Sequence, residues 1–173
     1  MENQYILAID AGTTGITIVV IDHQGQICHR EYSEFTQYYP HSGWVEHDAD
    51  EIWQTTLKLI RLVFARYPAR KIAGLGITNQ RETTILWDKQ SGKPIHKAIV
   101  WQCRRTMEYC NQLTSLGYSN IVKNKTGLVI DSYFSGPKIH WLLNNVNGIN
   151  NNSTHENLIF GTVDTWIIWN LTG

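Results

Sequence analysis

The chain has 173 residues, 42% of them hydrophobic and 17% charged, with 15 basic residues against 15 acidic ones. That length suits one domain and that composition a packed core, which excludes disorder as the main state. With no surplus of positive charge, a dedicated nucleic-acid binder is also disfavoured. The balance hides a split: residues 1–51 carry a net charge of −8 and residues 52–173 one of +8. Either the two parts face each other or one surface handles anions.

The start, Met1-Glu2-Asn3-Gln4 and a short apolar run that Asp10 interrupts, lacks the basic head and longer apolar stretch of a signal peptide. No stretch reaches the ~20 apolar residues of a membrane span. A cytoplasmic location is expected. Cys28, Cys103 and Cys110 are odd in number and match no zinc spacing, so free thiols are expected. The histidines show neither i,i+4 pairing nor an H-E-x-x-H pattern, and none is given a ligand or catalytic role.

Residues 5–9 (YILAI) and 16–21 (ITIVVI) are short β-branched runs that read as buried strands. A third strand is expected over 26–35, after the turn at 22–25, so the chain opens on a β-meander. Asp48 is a candidate N-cap, and Glu51 completes a capping-box pattern. Trp53, Leu57, Ile60 and Phe64 recur at helical spacing, and Pro68 stops the helix. Residues 72–78 read as another buried strand. Residues 83–87 and 95–101 flank a five-residue loop and read as a hairpin. Helices are expected over 103–116 and 135–146, then a strand at 157–161 and a helix from about Val163. The asparagine-rich stretch 144–157 reads as a loop.

The first candidate site is Asp10-Ala11-Gly12-Thr13-Thr14-Gly15, between two strands. Gly12 and Gly15 can adopt positive φ and let backbone approach a ligand. Backbone N–H groups, with the Thr13 and Thr14 hydroxyls, suit phosphate oxygens. Asp10 could hold magnesium through water; as a charge breaking an apolar strand it would need a partner. No Walker lysine is present, and an ordinary structural hairpin turn remains open.

The second candidate is Gln80-Arg81-Glu82-Thr83-Thr84. Arg81 offers five donors in a fixed fork and Glu82 two acceptor oxygens, a pair that can satisfy neighbouring hydroxyls of a small polyol. Neighbouring strand residues point to opposite faces, so both reach one ligand only if the backbone bends. The alternative is a solvated ion pair at a strand end. Trp101 could form an apolar wall or pack in the core. Arg104 and Arg105 could neutralise phosphate or start a solvated helix. Tyr133 could present a phenol to a hydroxylated ligand, or be an ordinary half-buried tyrosine.

At these residues the sequence resembles the N-terminal part of the FGGY carbohydrate kinase family, and within it the glycerol kinase branch. The strings are LAIDAGTTG at 7–15, GWVEHD at 43–48, GITNQRETTILW at 76–87, GKPIHKAIVWQCRRT at 92–106, TGLVIDSYFSG at 126–136 and FGTVDTWIIW at 160–169. The resemblance implies an α/β fold of the ribonuclease H-like, actin-like ATPase class, incomplete here, with a mixed sheet and flanking helices. Residues 1–173 would be the N-terminal part of the first kinase domain, with a second domain beyond them. It implies ATP and magnesium as cofactors, bound with the substrate in a cleft between two such domains. The reaction would be phosphorylation of glycerol at its 3-hydroxyl. By resemblance, Gly12, Thr13, Thr14, Gly15 and Thr17 match the phosphate-binding turn, and Asp10 the carboxylate near the metal. Arg81, Glu82 and Tyr133 match glycerol-binding residues, and Trp101 the aromatic wall.

Three positions depart from the family pattern: Thr17 stands where an arginine is usual, Gly15 where a serine is common, and Ala11 where a glutamine is common. The family's catalytic base would lie beyond Gly173, so residues 1–173 alone are expected to be inactive. A kinase for another polyol or sugar, and a non-catalytic remnant that only binds ligand, are the alternatives. A homo-oligomer is left open.

Overall fold

A computed structural model describes residues 4–146, 149 and 156–173. It divides into two compact units, one formed by residues up to Gln37, Asp48–Gln80 and Thr162–Gly173, the other by Tyr38–His47 and Arg81–Gly161.

The first unit is built on a mixed four-stranded sheet. Strands β1 (Tyr5–Ala11), β2 (Gly15–Ile21) and β3 (Ile27–Glu34) form the antiparallel meander, and β6 (Ile72–Asn79) lies parallel to β1, giving the order β3-β2-β1-β6. Alternation decides the core: Leu7, Ile9 and Ala11 on β1 and Ile16, Ile18 and Val20 on β2 are buried on one face. Helix α1 (Ala49–Arg66) packs on β2 and β3. The Asp48 carboxylate accepts from the Asp50 and Glu51 amides and caps it. Glu51 turns outward to accept from the Thr36 amide at 2.9 Å and hydroxyl at 2.8 Å. Helix α5 (Val163–Thr172) packs on α1, and its buried Trp166 indole donates to the Ala49 carbonyl at 2.7 Å.

Two expectations change here. The buried stripe of α1 is Ile52, Thr56, Leu59, Ile60 and Val63, while Phe64 is exposed. The stripe is rotated about one residue from the periodicity, and Thr56 is tolerated inside it because its hydroxyl donates to the Ile52 carbonyl at 2.8 Å. The other is β6, which is mostly exposed, Leu75 included. It is an edge strand among the described ones, and Gly74 and Gly76 have no side chains to bury.

The second unit contains β5 (Glu46–His47), β7 (Ile85–Asp88), β8 (Ala98–Ile99) and β9 (Leu158–Gly161). The order β4-β5-β8, with β4 (Gln37–Tyr38), makes one small sheet, and β7 pairs antiparallel with β9. The expected hairpin at 83–101 survives as backbone bonds between Thr84 and Ile99 and between Leu86 and Ile95. Its two sides take their strand partners elsewhere. The helices are α2 (Met107–Ser115), α3 (Ser119–Thr126) and α4 (Ser135–Asn145). α2 begins later than the periodicity predicts, and α3 lies between the two predicted helices. Val45, Leu86, Ile99, Val100, Cys103 and Leu142 form this unit's core. Of the asparagine-rich stretch, Asn144 and Asn145 end α4, while 147, 148 and 150–155 lie outside the described residues. Residues 1–3 of the chain start also lie outside them.

Candidate functional site

The glycine-threonine turn lies in the first unit, between β1 and β2. Its carbonyls face protein donors. Ala11 O accepts from the Gln80 amide at 3.0 Å, Gly12 O from Gln80 Nε2 at 3.2 Å, Thr13 O from Gln37 Nε2 at 3.0 Å and Thr14 O from the Phe35 amide at 3.4 Å. In a planar trans peptide the next N–H points the opposite way. These bonds therefore turn the amides of Thr13, Thr14 and Gly15 away from the donors. Thr14 is exposed; Gly12, Thr13 and Thr17 are half-buried.

The glycines act otherwise than expected, because neither Gly12 nor Gly15 has positive φ. Gly15 is required by packing: an added Cβ would lie 2.6 Å from the Ser33 carbonyl oxygen and 2.9 Å from the Tyr32 ring. Asp10 is exposed, so it is not a buried charge in need of a partner. It pairs in register with Thr17 on β2 and Thr78 on β6. A residue that sequence reasoning missed stands in the same unit. Asp164, in the first turn of α5, accepts from Asn79 Nδ2 and Thr162 Oγ1. Asn79 is the register partner of Ala11. The signal was the T-x-D at 162–164, a helix-start pattern.

The second unit brings Glu82, Trp101 and Tyr133 together. Glu82 has φ 66°, the one described non-glycine residue with positive φ. Such backbone is costly for a side chain with a Cβ and concentrates at functional sites. The bend the sequence required for Arg81 and Glu82 to serve one ligand therefore exists. Oε2 of Glu82 accepts from the Ser135 amide at 2.7 Å and hydroxyl at 2.6 Å, at the start of α4. Oε1 has no protein partner among the described residues. Arg81 is exposed and likewise has no side-chain partner there.

Trp101 and Tyr133 are half-buried and meet edge to face, with centroids 6.1 Å apart. The Trp101 amide donates to Thr83 Oγ1 at 3.2 Å, and the Tyr133 amide to Asp131 Oδ1 at 2.7 Å. A cavity of about 320 Å³ is lined by Glu82, Leu113, Leu128, Ile130 and Phe134 among others. It is largely apolar, and Trp101 and Tyr133 do not line it.

Arg104 and Arg105 are not a free phosphate-neutralising pair. The Arg105 side chain is fully buried, bound to Glu46 at 2.7 Å, and stacked by Trp44 at 3.9 Å and Trp141 at 4.6 Å. Arg104 bridges to Asp131 and Ser132. Cys28, Cys103 and Cys110 are free thiols. No helix among the described residues is long and apolar enough to cross a membrane.

Residues 5–173 match the model of the N-terminal domain of the FGGY family of carbohydrate kinases. The chain is 51% identical to a glycerol kinase of Brevibacillus brevis, over 99% of this chain and 35% of the relative. It is 50% identical to glycerol kinase 2 of Thermotoga maritima, over 98% and 35%. The chain thus spans about a third of the length of the curated relatives it matches. Among solved structures, Plasmodium falciparum glycerol kinase with ADP superposes with a TM-score of 0.90 at 33% identity, over 98% of this chain and 34% of that one. A ligand-bound xylulose kinase of Lactobacillus acidophilus gives 0.84 at 18% identity, a likeness of fold alone. With the mixed actin-like sheet, the DAGTTG turn and the bent Arg81-Glu82 pair all in place, the chain belongs to the FGGY family of carbohydrate kinases.

Proposed function

We propose that residues 1–173 are the N-terminal part of a kinase that transfers the terminal phosphate of ATP to glycerol, giving sn-glycerol 3-phosphate. The observation that carries the reading is the Glu82 carboxylate. One oxygen is held by Ser135 and the other is free, on backbone bent to φ 66°. Oε1 accepts one glycerol hydroxyl, and the exposed Arg81 fork donates to a neighbouring one. The Trp101 face covers the carbon skeleton, and the Tyr133 phenol serves as a further hydrogen-bonding group. The relatives named above are glycerol kinases, which supports the choice of polyol.

In the first unit, the amides of Thr13, Thr14 and Gly15 and the threonine hydroxyls hold phosphate oxygens. Thr17 offers a hydroxyl and no cation, so charge compensation there rests on backbone dipoles. Asp10 suits magnesium held through water: it is one exposed carboxylate at a strand end, with no protein partner among the described residues. No cluster of three or more His, Cys, Asp or Glu that could cage a metal occurs among those residues. One carboxylate with water and phosphate fits how magnesium binds nucleotides. The metal, when bound, neutralises phosphate charge; the chain's own part is to orient the phosphates and the hydroxyl for in-line transfer. We assign no catalytic base within residues 1–173.

The test joins residues 1–173 to the rest of the Brevibacillus brevis relative and measures ADP release with glycerol, xylulose and gluconate. Glycerol-dependent turnover is expected, with Arg81→Ala raising the glycerol KM about tenfold or more and leaving the ATP KM unchanged. Turnover with another substrate in preference to glycerol moves the reading to a different polyol or sugar. A fusion that binds ligand without turnover, beside an active parent relative, makes the chain a binding remnant.

A further inference from the structure

The second unit holds a lysine that neither the sequence reading nor the substrate contacts use. Lys138, in the second turn of α4, is among the largest fully buried side chains. A buried ammonium is unfavourable unless its hydrogen bonds are made. Its position opposes it further, since the start of a helix carries partial positive charge. An apolar side chain of the same length would avoid both costs, so its donors must serve something apolar carbon cannot. They do: Nζ folds back over the helix start and donates to the Tyr133 carbonyl and, at 3.2 Å, to that of Phe134.

Those carbonyls belong to the segment between Asp131 and α4, with Tyr133 at one end and Ser135, the anchor of Glu82, at the other. Lys138 is therefore one link in a series of contacts along this segment. Asp131 fixes the Tyr133 amide, Lys138 the Tyr133 and Phe134 carbonyls, and the Ser135 amide fixes Glu82. We propose that Lys138 is a positioning residue of the polyol subsite, setting through these carbonyls where the Tyr133 phenol and the free Glu82 oxygen stand. This rests on the reading of Glu82 and Tyr133 as hydroxyl-binding residues.

The charged and titratable groups facing Lys138 are Glu82, Asp131 and the thiols of Cys103 and Cys110, with the Tyr133 ring 6.0 Å away. Burial lowers its pKa from 10.5 to about 8, against the opposing pull of Glu82, Cys103, Asp131 and Cys110. Above that pH the neutral amine donates more weakly, and the segment should loosen.

Two measurements decide the matter. In the 173-residue chain, hydrogen exchange at the Ser135 amide, which donates to Glu82, reads the order of the segment that Lys138 holds. Its protection, corrected for the intrinsic rise with pH, is expected to fall as pH passes about 8, while β1 to β3 amides keep theirs. In Lys138→Met that protection is expected to be about tenfold lower at pH 7 and to show no step near pH 8. In the fusion described above, Lys138→Met should raise the glycerol KM about tenfold with kcat and the ATP KM within about twofold, a split that general loosening would not give. A wild-type chain with no such step overturns the proposal without any variant, as does an unchanged glycerol KM in an active Lys138→Met fusion. A fusion inactive on glycerol defeats the glycerol reading instead, and the exchange data still decide whether Lys138 holds the segment.

Discussion

Oε2 of Glu82 accepts two hydrogen bonds from Ser135, 53 residues further along the chain, from its amide at 2.7 Å and its hydroxyl at 2.6 Å. A carboxylate that takes two donors at a helix start is held in one orientation. Its second oxygen has no protein partner among the described residues, and the proposed reading gives it to a glycerol hydroxyl. Glu82→Gln should therefore raise the glycerol KM of the fusion by about 10- to 100-fold, the loss of a charged hydrogen bond. Steady-state kinetics with glycerol varied checks this, and Ser135→Ala should show a smaller shift in the same direction.

Gly15 is held to glycine by the neighbouring strand. A Cβ would meet the Ser33 carbonyl at 2.6 Å and Tyr32 at 2.9 Å. Gly15→Ala should force β2 and β3 apart and cost about 1–3 kcal/mol, and Gly15→Ser should cost at least as much. Urea unfolding of the chain measures both. A neutral result would show that β3 adjusts freely.

His47 is fully buried on β5, and burial lowers its pKa from 6.5 to about 4. Between those values the unfolded chain binds a proton that the folded chain does not. Stability therefore falls as pH drops from 6.5 towards 4, by about 3 kcal/mol in all, and levels off below. Unfolding midpoints across that range should follow this curve, and His47→Gln should flatten it.

Arg105 and Glu46 form an ion pair without solvent contact at the arginine, inside a tryptophan cage. Arg105→Ala strands a buried carboxylate and should cost about 3–5 kcal/mol. The double change Arg105→Met with Glu46→Gln should cost less than that single one. Thermal unfolding of the variants gives the comparison. Equal losses would mean the pair contributes only through packing.

Much of the architecture is local and therefore readable along the chain. The meander at 5–34 follows from β-branched alternation broken by turns. The start of α1 follows from Asp48, whose carboxylate reaches amides only two and three residues on. Arg81, Glu82, Trp101 and Tyr133 were legible as a polar and aromatic set. The role of Asp164 was not, because an acid in a first helical turn is ordinary. Lys138 was hidden for a similar reason: a lysine between a proline and an isoleucine reads as a solvent-facing residue.

What the sequence by itself determined is most of the longer elements and the chemistry they carry, since periodicity, capping and turn residues act over a few positions. What only tertiary structure decided is which faces are covered and which distant groups meet. β6 reads as buried from its apolar run yet stands exposed at an edge. Asp10 reads as a charge inside a strand yet lies open to solvent, while Arg105 reads as a phosphate-neutralising or solvated cation and is buried against two indoles. Burial depends on what packs above a residue, and period alone carries no record of that. The bent backbone at Glu82, its anchor at Ser135 and the ammonium of Lys138 behind them depend on segments brought together across half a hundred residues.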